Sequence, residues 1–128
     1  MMKSTTALSV VRVWRAMQYS EQGIRSAWKD EAAFRQELVL VLLLAPFTLW
    51  LHLPRLDTVL LLALMGLVLS AELMNSGLEA VVDMASPGFH LLARKAKDCG
   101  SAAVLVTLLL LGGAWAALAG PAVWALAR

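Results

Sequence analysis

Residues 56–85 read LDTVLLLALMGLVLSAELMNSGLEAVVDMA, and the two halves of this stretch obey different rules. From Leu56 to Ala71 the chain is apolar except for Asp57, Thr58 and Ser70, the pattern of a helix with no water-facing side. From Glu72 onward polar groups return at a fixed interval. Spacings of 3, 7 and 11 bring Asn75, Glu79 and Asp83 onto one narrow face with Glu72, because each helical residue advances about 100°. Leu, Met, Ala and Val fill the positions between. Carboxylates at membrane depth cost about 2.5–3.5 kcal/mol each near the bilayer centre. A stripe of them on a membrane helix therefore points to function.

The rest of the chain supports a membrane setting for this helix. Of 128 residues, 60% are hydrophobic and only 16% charged, with a mean hydropathy of +0.73. A soluble domain averages about 45–50% apolar and 25% charged, and one this small buries only about two-thirds of its unfolded surface. A soluble enzyme is excluded on those grounds. A net charge of +2 is too weak to suggest nucleic acid. The lone cysteine, Cys99, rules out intrachain disulfides and Cys-based metal clusters.

Uncharged runs cover residues 38–51, 58–71 and 99–127. A span needs about 20 residues, which the first reaches only if Arg35, Gln36 and Glu37 lie in the headgroup zone. The expected organisation is a single all-α membrane domain, 1–128. It comprises an amphipathic surface helix at about 5–30 and spans at about 32–51, 56–85 and 98–125, with a loop at 86–97. Pro46 should kink the first span, and Pro54 breaks the turn after it. Nine of eleven Lys/Arg residues lie before or at the start of the first span or between the second and third, which places the N-terminus in the cytoplasm and the C-terminus outside.

Counted from Leu56 at about 1.5 Å per residue, Glu72 lies roughly 24 Å and Glu79 roughly 34 Å across a core of about 30 Å. The ladder thus runs from lipid towards cytosol. Glu31–Glu37 and Arg94–Asp98 enter the first and third spans at the same level. Acids beside cations suit a divalent metal, a polyphosphate and a carboxylate base. Carboxylates such as Glu31 and Glu79 can ligate Mg²⁺, Lys97 can offset phosphate charge, and Glu72 can accept a proton from a hydroxyl. No P-loop or protein-kinase motif is present, so a kinase reading requires an unrelated scaffold.

At these residues the chain resembles the small bacterial integral-membrane diacylglycerol kinases. The likeness is carried by Glu31-Ala-Ala-Phe-Arg-Gln-Glu37, by Glu72-x-x-Asn75-Ser-x-x-Glu79-Ala-Val-Val-Asp83 and by Ala96-Lys-Asp-x-Gly-Ser-Ala-Ala-Val104. It implies a homotrimer with active sites shared between neighbouring subunits, in the bacterial inner membrane. It also implies transfer of the ATP γ-phosphate to diacylglycerol, giving phosphatidic acid, with Mg²⁺ as cofactor. Glu72 would then be the general base, Glu31 and Glu79 the metal ligands, and Asn75 a neighbour of the γ-phosphate. Asp83, Lys97, Asp98, Arg12, Tyr19 and the Gly88-Phe89-His90 turn would contact ATP. Arg12, Arg25, Trp28, Phe34, Arg35, Gln36, Glu37, Trp50, Glu72 and Ser101 would contact the lipid.

The chain departs from the family pattern at Phe89, where Tyr is usual, at Ser86-Pro87, which stiffens the second loop, and at Met17. Two other readings stand beside the first. One is a kinase for a polyprenol such as undecaprenol. The other is a non-catalytic oligomer or transporter subunit lined by Glu72, Asn75 and Glu79. The last predicts polar residues continuing towards the outer face, and residues 59–69 offer none but Gly66.

Overall fold

The computed structural model describes residues 10–128. Its elements are α1 (Val10–Asp30), α2 (Ala32–Trp50), α3 (Arg55–Ala85), α4 (Leu91–Leu118) and a short α5 (Gly120–Leu126). Among the described residues there is no strand. Three helices, α2, α3 and α4, are long and apolar enough to cross a membrane. The surface helix expected at 5–30 is helical from Val10, and residues 5–9 of it lie outside the described part.

Helix α3 is the middle of the bundle. It packs along α4 over a long contact and against α2 on another side, while α1 touches both α2 and α3. Met65, Val68 and Leu111 form the buried core, with Leu44, Leu62, Leu108 and Trp115 packed around it. Large apolar side chains also face outward from every span, among them Leu42, Leu43, Leu60, Leu67, Leu109 and Leu110. Such a surface suits lipid or another apolar helix, not water. Two hydroxyls within the spans are satisfied by their own helices: Ser70 donates to Gly66 O at 2.8 Å and Thr107 to Val104 O at 2.7 Å.

The corners explain the boundaries. Glu31 is extended (φ −109°, ψ 114°) and separates α1 from α2. Arg35 fixes that corner by donating to the carbonyls of Trp28 at 2.9 Å and Lys29 at 3.0 Å, at the negative end of α1. The turn after α2 passes through His52 at φ 51°, a left-handed conformation that costs a side-chain-bearing residue energy. Helix α2 continues through Pro46 to Trp50.

Helix α4, which carries the third candidate span, runs from Leu91 to Leu118, against the 98–125 expected for the span. It begins at Leu91, so most of the expected loop is helical. Residues 91–97 are all good helix formers, and His90 starts the helix by accepting from Leu92 N–H through Nδ1 at 3.2 Å. The far end stops at Leu118, and Pro121 sits in the first turn of α5. A proline fits there but would break the interior of a continuous helix.

Candidate active site

The polar face predicted from spacing faces inward at one end of the bundle. Glu72 is 4% exposed, buried in a helix whose other inward residues at that level and below are apolar. It lies within electrostatic reach of Glu31, at the α1–α2 corner, and of Glu79, two turns further along α3. Glu37 is also inside, at 8% exposure and within reach of Glu72. Its side chain therefore turns into the bundle and not out towards lipid. It follows Phe34 by three residues, so the two share the face of α2 that turns towards the bundle.

Beyond Glu72 the site opens. Asn75 donates from Nδ2 to Glu79 Oε1 at 3.2 Å, and Asp83 is paired with Lys97 of α4 at 2.5 Å. A cleft of about 600 Å³ lies between α1 and α3, lined by Gly23, Ala27 and Glu31 on one wall and Leu73, Ser76 and Gly77 on the other. Three buried side-chain atoms have no hydrogen-bond partner: Glu37 Oε2, Asn75 Oδ1 and Ser76 Oγ. All three belong to this end. Buried polar atoms are normally paired, so their concentration at one end of the bundle, with Ser76 in the cleft wall, marks a place prepared for other groups.

The remaining predicted residues divide. Lys97 joins the cluster directly. Asp98 instead forms an exposed pair with Arg94 at 3.7 Å, and Arg25 pairs with Glu21 at 2.7 Å on the same helix. Phe34 is buried at 2% exposure, whereas Gln36 and Ser101 face outward. Arg12, Tyr19 and Trp28 are exposed on α1, and Gly88 and Phe89 are exposed in the α3–α4 loop. His90 caps α4 and Arg35 holds the α1–α2 corner, so both have structural tasks at the rim. Trp50 stacks on Phe47 at the opposite end of α2, roughly 28 Å from Glu31 by helical rise, and is not part of the cluster.

Sequence reasoning assigned nothing to Ser76 or Gly100. Ser76 sits beside Asn75 in the polar stretch, and that adjacency was the available signal. Gly100 lies in the third motif and meets Asn75 across the α3–α4 contact.

No group of three or more His, Cys, Asp or Glu side chains among the described residues is arranged to hold a metal by itself. Mg²⁺ does not require one, since it commonly takes one or two carboxylates and completes its shell with phosphate and water. The donor set fits that pattern. Glu31 and Glu79 both lie near Glu72, and Glu79 engages Asn75 through one oxygen only.

These features define a small multi-span membrane protein with a buried carboxylate and further polar groups gathered at one end of its helices. The family model for prokaryotic diacylglycerol kinase matches residues 18–119. The chain is 42% identical over 118 residues to the diacylglycerol kinase of Escherichia coli (strain K12), covering 92% of this chain and 95% of that protein. It is 39% identical to the diacylglycerol kinase of Haemophilus influenzae, over 89% and 95% of the two chains. The enzyme of the same name from Pseudomonas aeruginosa is 40% identical, over 84% and 87%. The chain belongs to the prokaryotic diacylglycerol kinase family, and with its three candidate spans it is a bacterial membrane protein.

Proposed function

We propose that the chain transfers the γ-phosphate of ATP to the free hydroxyl of diacylglycerol, releasing phosphatidic acid and ADP. The observation that carries this reading is the buried carboxylate of Glu72 within reach of Glu31 and Glu79, where Glu31 itself lines the cleft between α1 and α3. Such a carboxylate meets a lipid hydroxyl on its apolar side and a soluble nucleotide on its open side. The other family motifs lie around it.

In this mechanism Glu72 takes the proton of the attacking hydroxyl as the new O–P bond forms and the bond to the ADP oxygen breaks. General-base assistance of this kind contributes about 10²–10⁴-fold. Glu31 and Glu79 would hold Mg²⁺, which neutralises β- and γ-phosphate charge when bound. Lys97, steadied by Asp83, supplies a cation on the nucleotide side. Asn75 offers an amide to the γ-phosphate while keeping Glu79 in place. Arg12, Tyr19, Gly88, Phe89, His90 and Asp98 form the outer nucleotide rim. Arg25, Trp28, Phe34, Arg35, Gln36, Glu37 and Ser101 flank the lipid headgroup, and Trp50 at the far end reaches only an acyl tail.

The bias of basic residues supports a cytoplasmic site and N-terminus, with α1 lying on the leaflet, its cations at anionic headgroups. Outward-facing apolar side chains on all three spans, beside this many carboxylates, favour an oligomer whose neighbours close the site, and the family resemblance makes it a homotrimer.

The test is ATP-dependent phosphorylation by purified protein in mixed micelles, with diacylglycerol and undecaprenol side by side, with and without Mg²⁺. Mg²⁺-dependent turnover fastest on diacylglycerol is expected. Preference for undecaprenol would reassign the lipid, and no product on any lipid alcohol would overturn the kinase reading.

A further inference from the structure

We propose that Gly100 is a positioning residue for the nucleotide side of the site: its missing side chain lets α4 seat the Asn75 amide so that Asn75 holds Glu79. The inference rests on the reading of Asn75 and Glu79 given above. A Cβ built on Gly100 would fall on Asn75 Oδ1, and would stand 3.2 Å from Leu78 Cδ2 and 3.3 Å from Asn75 Cγ. The other span glycines, Gly66, Gly77, Gly112 and Gly113, have nothing within 4 Å of the same position. A glycine inside a helix weakens it relative to alanine, so this one runs against local preference at the place where a side chain on α4 would overlap Asn75.

The amide can sit only one way round. Its Nδ2 donates to Glu79 Oε1 at 3.2 Å, and its Oδ1 is buried with no N–H or O–H donor. Exchanging the two would set a carbonyl oxygen against a carboxylate and leave an NH₂ facing the Gly100 methylene. In the orientation present, a Gly100 Cα–H bond faces the otherwise unpartnered oxygen, a weak but favourable contact. A methyl group at position 100 removes that contact and displaces the end of the Asn75 side chain. The fold absorbs this by one side-chain rotation. Glu79 loses its hydrogen bond, and with it the fixed carboxylate that a Mg²⁺-bound phosphate would meet.

The prediction separates positioning from packing through a double-mutant cycle of G100A and N75A. Two quantities are read on full-length purified protein: calorimetric affinity for the non-hydrolysable MgAMP-PNP, and thermal stability. Each single variant is expected to weaken nucleotide binding by about tenfold or more, the effect of losing a hydrogen bond to a charged group. The double variant should bind within about twofold of N75A, because Gly100 acts through Asn75 and not beside it. N75A/G100A should also be more stable than G100A, since the overlap has gone and alanine favours the helix.

Losses that multiply, or wild-type binding by G100A, would overturn the role of Gly100 while leaving the site intact. A double variant that fails to fold would do the same, because the obstacle would then be something other than Asn75. Wild-type binding by N75A would instead overturn the nucleotide role of Asn75, and Gly100 would fall with it.

Discussion

The two ends of the three-helix bundle treat buried polarity in opposite ways. At the Trp115 end, Thr48 is fully buried and its hydroxyl accepts from Trp115 Nε1 at 3.2 Å. Phe47 stacks on both Trp115 and Trp50 over that pair, with ring centroids 6.0 and 5.7 Å apart. At the Glu72 end, Glu37, Asn75 and Ser76 each keep a buried atom without a partner, and three carboxylates crowd together. An unpaired buried polar atom costs about 1–3 kcal/mol. One end is finished as a structure. The other carries that cost because its partners, by the reading above, are substrate groups. Stability and chemistry are divided along the length of α3, and substitutions at the two ends should separate them.

The sharpest division is expected at Glu72. E72Q keeps the shape of the side chain and removes the base, so turnover should fall about 10²–10⁴-fold. MgATP affinity should change little, because the amide does not touch the nucleotide side. Thermal stability should hold or rise, since a buried charge repelled by Glu31 and Glu79 has been neutralised. Phosphoryl transfer, nucleotide binding and melting measured on one preparation check all three. An active E72Q enzyme would break the assignment of chemistry to this end.

Smaller losses should follow at the proposed metal ligands. E31Q and E79Q each remove one anionic donor, and the Mg²⁺ concentration giving half-maximal activity should rise by about tenfold or more. Excess Mg²⁺ should restore part of the turnover, which it should not do for E72Q. Titrating Mg²⁺ against all three variants distinguishes ligand from base. Identical behaviour of the three would merge roles that the mechanism keeps apart.

How much of this was legible beforehand differs by end and by kind of interaction. The spans were readable because so small and apolar a chain cannot bury its uncharged runs in a soluble core, and two of those runs reach span length once their flanks are included. The Glu72 face was readable because a helical period alone aligns it. The inward turn of Glu37 was not readable, since a carboxylate two residues from Arg35 looks like an outward-facing group until Phe34 is known to face inward. The start of α4 was hidden because Arg94, Lys95 and Lys97 resemble a charged loop, whereas the beginning of the helix is decided by the ring of His90. Contacts between α3 and α4, such as Asn75 with Gly100, depend on helix register, and glycine leaves no side-chain signal to reveal it. The Thr48–Trp115 bond is 67 residues long-range and equally invisible to spacing.

The Trp115 end offers the counter-test, with the smallest effect and no expected change in kcat. T48V replaces the buried hydroxyl with a methyl of similar size and orphans the indole N–H of Trp115. Stability should fall by about 1–3 kcal/mol, read as earlier thermal inactivation in detergent, while turnover and both KM values stay near wild type. Adding W115F removes the stranded donor. Part of the loss should therefore be recovered in T48V/W115F relative to the sum of the single variants, because replacing both partners costs less than stranding one. If T48V lowers kcat instead, the ends are linked through α3 and the division proposed for the bundle fails. If stability alone moves, α3 acts as a rigid bar between a structural anchor and a reactive tip, and each can be altered without the other.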